Sequence, residues 1–376
     1  MTLMIVVTHL LGTGHLARAL TLGKSFAAAG HRVSVVSGGA PVPHFDTTGL
    51  ELVQLPPVRS NGTDFTTLLT QDGGVADPAY MRDRQSQLLE ALARIAPDVV
   101  ITELFPFGRR ILRSEFRALL EAAQGMAARP LVLCSIRDIL APPGKPAKAA
   151  FAEDMVSAFY DGVLVHADAD VVALERSWPV SKGLAKRLIY TGFVAPPAPP
   201  PDAARHGAVL VSAGGGAVGD RLFAAALDAA RRTPETAWLL LVGGDIARRT
   251  ALATDAPENV TIEAPRPDFR ALMQGAAASV SMCGYNTALD VLQTGARAVL
   301  VPFDDGGEVE QTLRAEALSA QAGITVLRQG DLNGPALVAA VHTVLAAPDR
   351  APRVTGMAGA TKTVEVVQDL LAKDHI

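Results

Sequence analysis

The sequence predicts an α/β protein of two Rossmann-like domains, each with a parallel sheet covered by helices. Short, uniformly apolar runs alternate with helical patterns along almost the whole chain, as strands buried on both faces of a parallel sheet require. A proline-rich stretch interrupts this alternation once, and such a segment acts as a spacer. We therefore predict an N-terminal domain at 1–195, a linker at 196–207 and a C-terminal domain at 208–376, the domains facing each other across a cleft. The last helix can pack back on the N-terminal domain.

The predicted elements follow the apolar runs in order. The first strand is followed by an amphipathic helix at 15–30, which ends at Gly30, and a helix near 219–232 opens the second half. The intervening stretch 58–78 is too long for an ordinary connection and is predicted to be a functional or mobile loop. Strands are predicted at 3–7, 32–37, 51–55, 98–104, 130–136, 162–167, 187–192, 208–213, 238–243, 260–264, 278–282 and 298–302.

Composition limits the function classes. A net charge of −4 argues against a nucleic-acid partner, which would require a basic face. Cys134 and Cys283 are the two cysteines, so neither a disulfide framework nor a cysteine metal site is expected, and a reducing cytoplasm is the natural location. The N-terminus lacks a basic segment and a cleavage site, and no run reaches the ~18 apolar residues of a membrane span.

The first of three glycine-rich turns contains the best candidate for a general base. In "THLLGTGHLARAL" (8–20), a Gly-rich turn follows the first strand and His15 lies at the start of the helix. Ligands of open parallel sheets bind at this carboxyl edge, and histidine is suited to proton abstraction near neutral pH. The helix N-terminus is expected to lower the pKa of His15. The alternative is a tight turn that merely opens the helix.

The second turn, "VSAGGGAVGDRLF" (211–223), predicts an anion cradle made of backbone N–H groups at a helix N-terminus. It also matches G-x-G-x-x-G, so a nicotinamide enzyme with Asp245 as the acidic residue is an alternative. A turn that only lets strand and helix pack is a third interpretation.

The third turn, "CGYNTALDVLQTG" (283–295), completes a set of motifs that resembles a known family. Together with "GTGH", "SAGGG" and "VPF…EQ", it has the order and spacing of GT-B glycosyltransferases. The nearest resemblance is to the peptidoglycan N-acetylglucosaminyltransferases that form lipid II, and a more distant one is to natural-product glucosyltransferases. The specific motifs lie mainly in 8–20 and 208–315, whereas 56–160 matches poorly.

The resemblance implies a UDP-sugar donor, transfer of an N-acetylhexosamine with inversion, and no metal or other cofactor. Asp290 lies ~4.5 Å along the helix from Thr287 and is placed to accept the ribose hydroxyls, where the lipid II enzymes carry Glu. A first-turn acid favoured by the helix dipole is the alternative role for Asp290. Three polar side chains after the last predicted strand, those of Glu308, Glu310 and Gln311, are candidates to face the sugar, and the choice among them stays open. The predicted donor-binding residues are Gly14, Ser212, Gly214, Gly215, Gly216, Cys283, Gly284, Tyr285, Asn286, Thr287, Asp290, Glu308, Glu310 and Gln311.

On the acceptor side, Glu103 is a second catalytic candidate, and Arg109 and Arg137 are predicted to bind acceptor. A solvated basic helix face is the alternative for the arginines. Arginines 109, 110, 113 and 117, with Phe105, Phe107 and Ile111 nearby, also predict a peripheral approach to an anionic lipid surface or a phosphorylated acceptor. The rival functions are a UDP-sugar 2-epimerase or nucleotide-sugar hydrolase of the same fold, and a non-catalytic nucleotide-sugar-binding protein. The expected location is cytoplasmic, with association at the inner face of the membrane as a further expectation.

Overall fold

The computed structural model describes residues 1–10, 13–43, 45–61, 64–199, 207–214, 219–304 and 309–374, and the chain divides into two compact units. The first unit is Met1–Pro196 with Ala358–Ile376, and the second is Pro197–Met357. The second unit therefore ends before the chain does, because the last helix belongs to the first unit. The predicted linker starts at the border between the units, and its residues 200–206 lie outside the described part.

The described residues of the first unit form a seven-stranded parallel sheet with strand order β3-β2-β1-β6-β7-β8-β9. This order confirms the predicted α/β class for this half. The strands are β1 (Thr2–Val7), β2 (Arg32–Ser37), β3 (Glu51–Gln54), β6 (Val99–Glu103), β7 (Leu131–Arg137), β8 (Gly162–His166) and β9 (Leu188–Tyr190). The helices are α1 (Gly14–Ala28), α2 (Pro78–Ile95), α3 (Arg113–Gln124), α4 (Pro146–Phe159), α5 (Lys182–Ala185) and α12 (Gly359–Asp374).

The terminal helix α12 completes the core on one face of this sheet. Val364 and Val367 share a buried cluster with Leu20 and Phe26 of α1 and with Ile5 of β1. The buried strands are mostly apolar because helices cover both faces of the sheet, which leaves no solvated side. Removing α12 would expose this cluster, so the first unit needs the end of the chain.

The stretch predicted as a single loop at 58–78 contains an antiparallel hairpin. Strands β4 (Arg59–Asn61) and β5 (Asp64–Leu69) pair with each other and form a separate two-stranded sheet. Asp77 then caps α2, because its side chain accepts a hydrogen bond from the backbone N–H of Tyr80 at 2.8 Å.

The described residues of the second unit form a six-stranded parallel sheet with order β12-β11-β10-β13-β14-β15. Its strands are β10 (Val209–Ser212), β11 (Trp238–Leu241), β12 (Val260–Glu263), β13 (Ala278–Ser281), β14 (Ala298–Leu300) and β15 (Ile324–Val326). Its helices are α6 (Asp220–Arg232), α7 (Ile246–Thr254), α8 (Phe269–Gly275), α9 (Tyr285–Thr294), α10 (Glu310–Leu318) and α11 (Gly334–Ala346). In the part of the chain described, none of the helices combines the length and the apolar composition that spanning a membrane demands.

Candidate functional site

A buried polar network lies at the carboxyl edge of the first sheet and centres on His15. His15 is the second residue of α1, and its side chain is 12% exposed. Its Nδ1 lies 2.9 Å from Oε1 of Glu103, the last residue of β6, whose side chain is 1% exposed. His15 is therefore slightly exposed at this edge of the sheet, whereas the carboxylate of Glu103 beside it is shielded from water.

Arg18 completes this group from the next turn of α1. Its Nη2 contacts Oε1 of Glu103 and lies 3.3 Å from Nδ1 of His15. A guanidinium can only donate hydrogen bonds and an ionised carboxylate can only accept them, so Glu103 accepts from both neighbours. His15 then carries its proton on Nδ1, and Nε2 keeps the lone pair that can receive a proton.

The charge states follow from the surroundings. Burial lowers the pKa of His15 to about 3 against the opposing hydrogen bond to Glu103, and the charges of Arg109 and Arg137 lower it further. Burial alone would raise the pKa of Glu103, but the charge of Arg18 and the hydrogen bonds from His15 and Ser135 outweigh it, so this pKa is lowered. A neutral imidazole therefore sits beside an ionised carboxylate at neutral pH. The fall in the pKa of His15 has the expected direction, although burial rather than the helix N-terminus is its main cause.

Arg109 and Arg137, the predicted acceptor residues, lie at the same edge, where their charges act on His15. Arg109 has a left-handed backbone (φ 56°), and its Nε donates to the carbonyl of Thr8 at 2.6 Å. Arg137 is the half-buried last residue of β7. Gly14 is exposed beside them, and a Cβ built there would meet no atom within 4 Å, so there is open space next to His15.

The apolar side chains expected to accompany the basic segment at a lipid surface are mostly buried. Phe105 is fully buried and stacks on Phe116, and Phe107 is 3% exposed against the edge of Trp178. Ile111 is 36% exposed. The expectation of an apolar surface here is therefore wrong for both phenylalanines, because Phe105 packs against Phe116 of α3 and Phe107 packs against Trp178.

In the second unit, the predicted donor residues that the structure describes lie at the carboxyl edge of its sheet. Ser212 ends β10, and its Oγ accepts a hydrogen bond from the N–H of Gly214 at 3.2 Å. Gly214 has φ +86°, a conformation that favours glycine. Gly215, Gly216 and Glu308 lie outside the described residues. A cavity of about 250 Å³ opens next to this turn, lined by residues that include Gly219 and Met282.

The turn after β13 has the features of an anion-binding helix N-terminus. Gly284 is the N-cap of α9, no side-chain cap was found there among the described residues, and a Cβ at this position would meet nothing within 4 Å. Asn286 is exposed and Thr287 is half-buried. This turn therefore combines a glycine N-cap with open space at a helix N-terminus, an arrangement that can bind an anion.

The side chains of two residues of the same motif, Cys283 and Tyr285, are buried and contribute to packing around the turn. Cys283 is fully buried, so its thiol does not line the turn, and its carbonyl accepts a hydrogen bond from Nη1 of Arg314 at 3.1 Å. The ring of Tyr285 is 8% exposed and lies 5.9 Å from the Arg314 guanidinium. The buried side chains of Cys283 and Tyr285 therefore pack under the turn and do not line its open side.

Asp290 is engaged by a cation that the sequence motif did not reveal. Nε of Arg270 lies 2.9 Å from Oδ1 of Asp290, and the same guanidinium contacts Gln293 and the carbonyl of Pro197. Burial raises the pKa of Asp290 to about 6 despite the opposing charge of Arg270. The contact between Arg270 and Asp290 is therefore an ion pair with only part of its surface exposed.

The loop after β14 offers polar residues at the start of α10. Glu310 is the first residue of that helix and is half-buried. Oε1 of Gln311 accepts a hydrogen bond from the backbone N–H of Phe303 at 3.1 Å, which ties the two ends of this loop together. Asp245 of the nicotinamide alternative caps α7 by accepting from the N–H of Arg248 at 2.9 Å. A helix cap thus accounts for that carboxylate.

Sequence reasoning missed the partners of the predicted site residues. Arg18 follows His15 by three residues on one helix, a spacing that places both on the same face and could have revealed the pair. Arg270 and Arg314 reach their partners across 20 and 31 residues, for which the sequence carries no signal.

The comparisons with known proteins agree with this architecture. Residues 211–370 match the family model of the glycosyltransferase family 28 C-terminal domain. A stretch of 95 residues is 30% identical to the UDP-N-acetylglucosamine--N-acetylmuramyl-(pentapeptide) pyrophosphoryl-undecaprenol N-acetylglucosamine transferase of Agrobacterium fabrum, covering 24% of this chain and 25% of that protein. The chain thus spans about a quarter of the length of the curated relative it matches.

Solved structures resemble the chain over nearly its whole length. The calicheamicin glycosyltransferase CalG4 has a TM-score of 0.62 at 18% identity, with 98% of this chain and 94% of that one covered. MurG from Acinetobacter baumannii has a TM-score of 0.62 at 16% identity, with 99% of each chain covered. VinC in complex with dTDP has a TM-score of 0.61 at 15% identity, with 99% of this chain and 100% of that one covered.

The chain has the GT-B fold and its residues 211–370 match a glycosyltransferase family 28 domain, so the resemblance predicted from the sequence is confirmed. The C-terminal part of the chain carries the family 28 domain in particular.

Proposed function

We propose that this protein transfers a sugar from a UDP-sugar to an acceptor hydroxyl with inversion at the anomeric carbon. The observation that carries the proposal is the contact between Nδ1 of His15 and Glu103 at 2.9 Å, which leaves the lone pair of Nε2 on a neutral imidazole whose side chain is 12% exposed. A general base needs this combination of a free lone pair, the neutral form and hydrogen-bond reach.

In the proposed reaction, Nε2 of His15 takes the proton of the acceptor hydroxyl. The hydroxyl oxygen forms the new bond to the anomeric carbon, and the bond from that carbon to the diphosphate oxygen breaks with its electron pair leaving on UDP. The Glu103 carboxylate stabilises the imidazolium that forms, as the buried acid of a catalytic triad does. The proton leaves His15 to solvent after product release.

For the donor, the proposal uses the N-terminus of α9 and the turn at Gly214. The dipole at the N-terminus of α9 and the open space at Gly284 suit a diphosphate, so no metal is invoked for the departing UDP. The name of the Agrobacterium fabrum relative gives UDP-N-acetylglucosamine as its donor, which supports N-acetylglucosamine as the transferred sugar.

A thermal-shift screen against nucleotide sugars tests the donor class directly. A ligand that binds only the native state adds about 2.7 kcal/mol of stability at a concentration of 100 Kd. We expect UDP and UDP-N-acetylglucosamine to raise the melting temperature more than GDP- or ADP-sugars do. A larger shift with another nucleotide would replace the proposed donor.

A thymidine-nucleotide donor is the second candidate, and one specific observation favours it. VinC, which has the same fold, was crystallised with dTDP, and in the present chain Arg270 already occupies one side of Asp290. A deoxyribose has no 2′-hydroxyl to offer that carboxylate. The role of Asp290 therefore decides between the two donors.

Replacing Asp290 with asparagine is expected to weaken UDP about 10-fold and 2′-deoxy-UDP much less. The physical reason is the loss of a hydrogen bond to a charged group, worth roughly 1.5–3 kcal/mol, which the deoxyribose lacks. Asparagine keeps the shape of the side chain beside Arg270. Titration calorimetry with both nucleotides gives the ratio, and Asp245→Asn at the cap of α7 is the matched control. Equal losses for the two nucleotides would show that Asp290 does not read the ribose.

For the acceptor, we propose a hydroxyl compound that carries a negative charge. Arg109 and Arg137 lie close enough to His15 to lower its pKa, and such a pair of cations suits a phosphate or carboxylate on the acceptor. The name of the Agrobacterium fabrum relative includes a pyrophosphoryl-undecaprenol acceptor, which makes a lipid-linked acceptor and work at the inner face of the membrane the natural forms of this proposal.

A further inference from the structure

The polar network behind His15 continues across three further strands of the first sheet. Oε2 of Glu103 lies 2.7 Å from Oγ of Ser135 on β7, and that oxygen lies 3.0 Å from Nε2 of His166 on β8. Nδ1 of His166 lies 2.8 Å from Oγ1 of Thr191, directly after β9. Ser135 and His166 are 0% exposed, and Thr191 is 4% exposed. Three neighbouring strands and the residue that follows a fourth thus contribute one polar side chain each at the same edge.

The direction of each hydrogen bond follows from the number of hydrogens available. Ser135 has one hydroxyl hydrogen, and the ionised Glu103 can only accept, so this hydrogen goes to Oε2. Ser135 must then receive a hydrogen from Nε2 of His166. Burial lowers the pKa of His166 to about 3, so its ring is neutral and Nδ1 has no hydrogen. Thr191 therefore donates to Nδ1, and the chain of donors points one way, toward Glu103.

The opposite arrangement is disfavoured at its far end. The hydroxyl of Thr191 also lies 3.2 Å from the carbonyl of Gly192 and 3.5 Å from that of Val165. If it donated there, His166 would need its hydrogen on Nδ1, and the hydrogen of Ser135 would turn to Nε2. Oε2 of Glu103 would then face a lone pair at 2.7 Å inside the protein, which leaves a buried charged group unsatisfied.

We propose that Ser135 and His166 are positioning residues, which hold Glu103 so that it accepts the Nδ1 hydrogen of His15 and keeps Nε2 as the basic atom. Arg18 makes this anchoring necessary. Its Nη2 lies 3.3 Å from Nδ1 of His15, so a carboxylate that turned away would let Arg18 donate to Nδ1 instead. His15 would then carry its hydrogen on Nε2, and the atom that has to receive a proton would be blocked.

Nitrogen-15 NMR of the ligand-free protein tests this assignment without any substrate. Histidine labelled in the ring reports by two-bond couplings which nitrogen carries the hydrogen, and His15→Gln and His166→Gln variants assign the two signals. We expect His15 to be protonated on Nδ1 and His166 on Nε2. A hydrogen on Nδ1 of His166 would reverse the direction of these hydrogen bonds and overturn the proposal.

Variants then separate positioning from simple packing. In Ser135→Ala and His166→Leu we expect the Nε2–H form of His15 to appear and turnover to fall about 10-fold, with the Kd for UDP unchanged. His166→Gln retains an amide N–H near the position of Nε2 and is expected to restore the His15 tautomer and most of the turnover. If Gln and Leu lower the melting temperature alike and leave the tautomer of His15 unchanged, the residues only pack and the proposal fails.

The catalytic role of this series of hydrogen bonds rests on the proposed function, but the tautomer measurement does not. A wild-type protein with the expected tautomers and without glycosyl transfer would contradict the function and leave the hydrogen-bond assignment intact. Transfer activity together with the opposite tautomer of His166 would do the reverse.

Discussion

Replacing His15 with alanine is expected to lower turnover about 10²–10⁴-fold while the Kd for UDP stays within about twofold of the wild-type value. The size is that of a lost general base. Nucleotide affinity should survive because the candidate diphosphate site is built from Gly214, Gly284 and α9 in the second unit. Steady-state kinetics together with calorimetric titration of UDP measure both quantities on the same preparation.

The matched control is His31→Ala, which removes a histidine just beyond the other end of α1 and should leave turnover unchanged. The pH profile adds a second check. Because the folded pKa of His15 is about 3, against an ordinary value of 6.5, the imidazole stays neutral as pH falls through 6 and 5. No loss of activity from its protonation is expected above pH ~4. Loss of UDP binding in His15→Ala would identify His15 as a donor ligand instead.

Replacing Glu103 with glutamine is expected to have two large effects. Turnover should fall about 10²–10³-fold, because the amide neither stabilises the imidazolium nor enforces the Nδ1–H tautomer of His15. The free energy of unfolding should fall by about 3–5 kcal/mol, because Arg18, whose side chain is 4% exposed, loses its counter-charge. Kinetics and chemical denaturation measure the two effects separately.

A double variant distinguishes catalysis from folding at this position. Glu103→Gln combined with Arg18→Met removes both buried charges and is expected to regain much of the lost stability, since well-packed apolar replacements of buried ion pairs are often neutral. Turnover should remain low, because the carboxylate is still missing. Recovery of turnover with stability would mean that Glu103 serves only to neutralise Arg18.

The sequence was sufficient for every strand of the two parallel sheets except β15, and for the edge at which the site lies. Buried parallel strands are mostly apolar, so their runs stand out, and the Gly-rich turns mark the carboxyl ends where ligands bind. The hairpin of β4 and β5 was missed although the Asn61-Gly62 dipeptide is a recognised hairpin signal. Strand β15 has only three residues, too few for a period to be visible.

The partners within the site could not be predicted, because tertiary packing creates them. Glu103 lies 88 residues from His15 and 32 from Ser135, and the strand order β1-β6-β7-β8 brings them together. Each appears in the sequence as an isolated polar residue at the end of an apolar run or within it. The ion pair of Arg270 with Asp290 likewise depends on how α8 packs on α9, which no local spacing encodes.

The most direct test of the central claim is the fate of the anomeric carbon. UDP-N-acetylglucosamine labelled with ¹³C at that carbon is incubated with the protein and a panel of neutral, phosphorylated and lipid-linked alcohols, and the products are followed by NMR. The account predicts a β-glycoside formed in equal amount with UDP, preferentially on an anionic alcohol, and absent with His15→Ala. Sugar that is only epimerised at C2, or released free whatever alcohol is present, would contradict it.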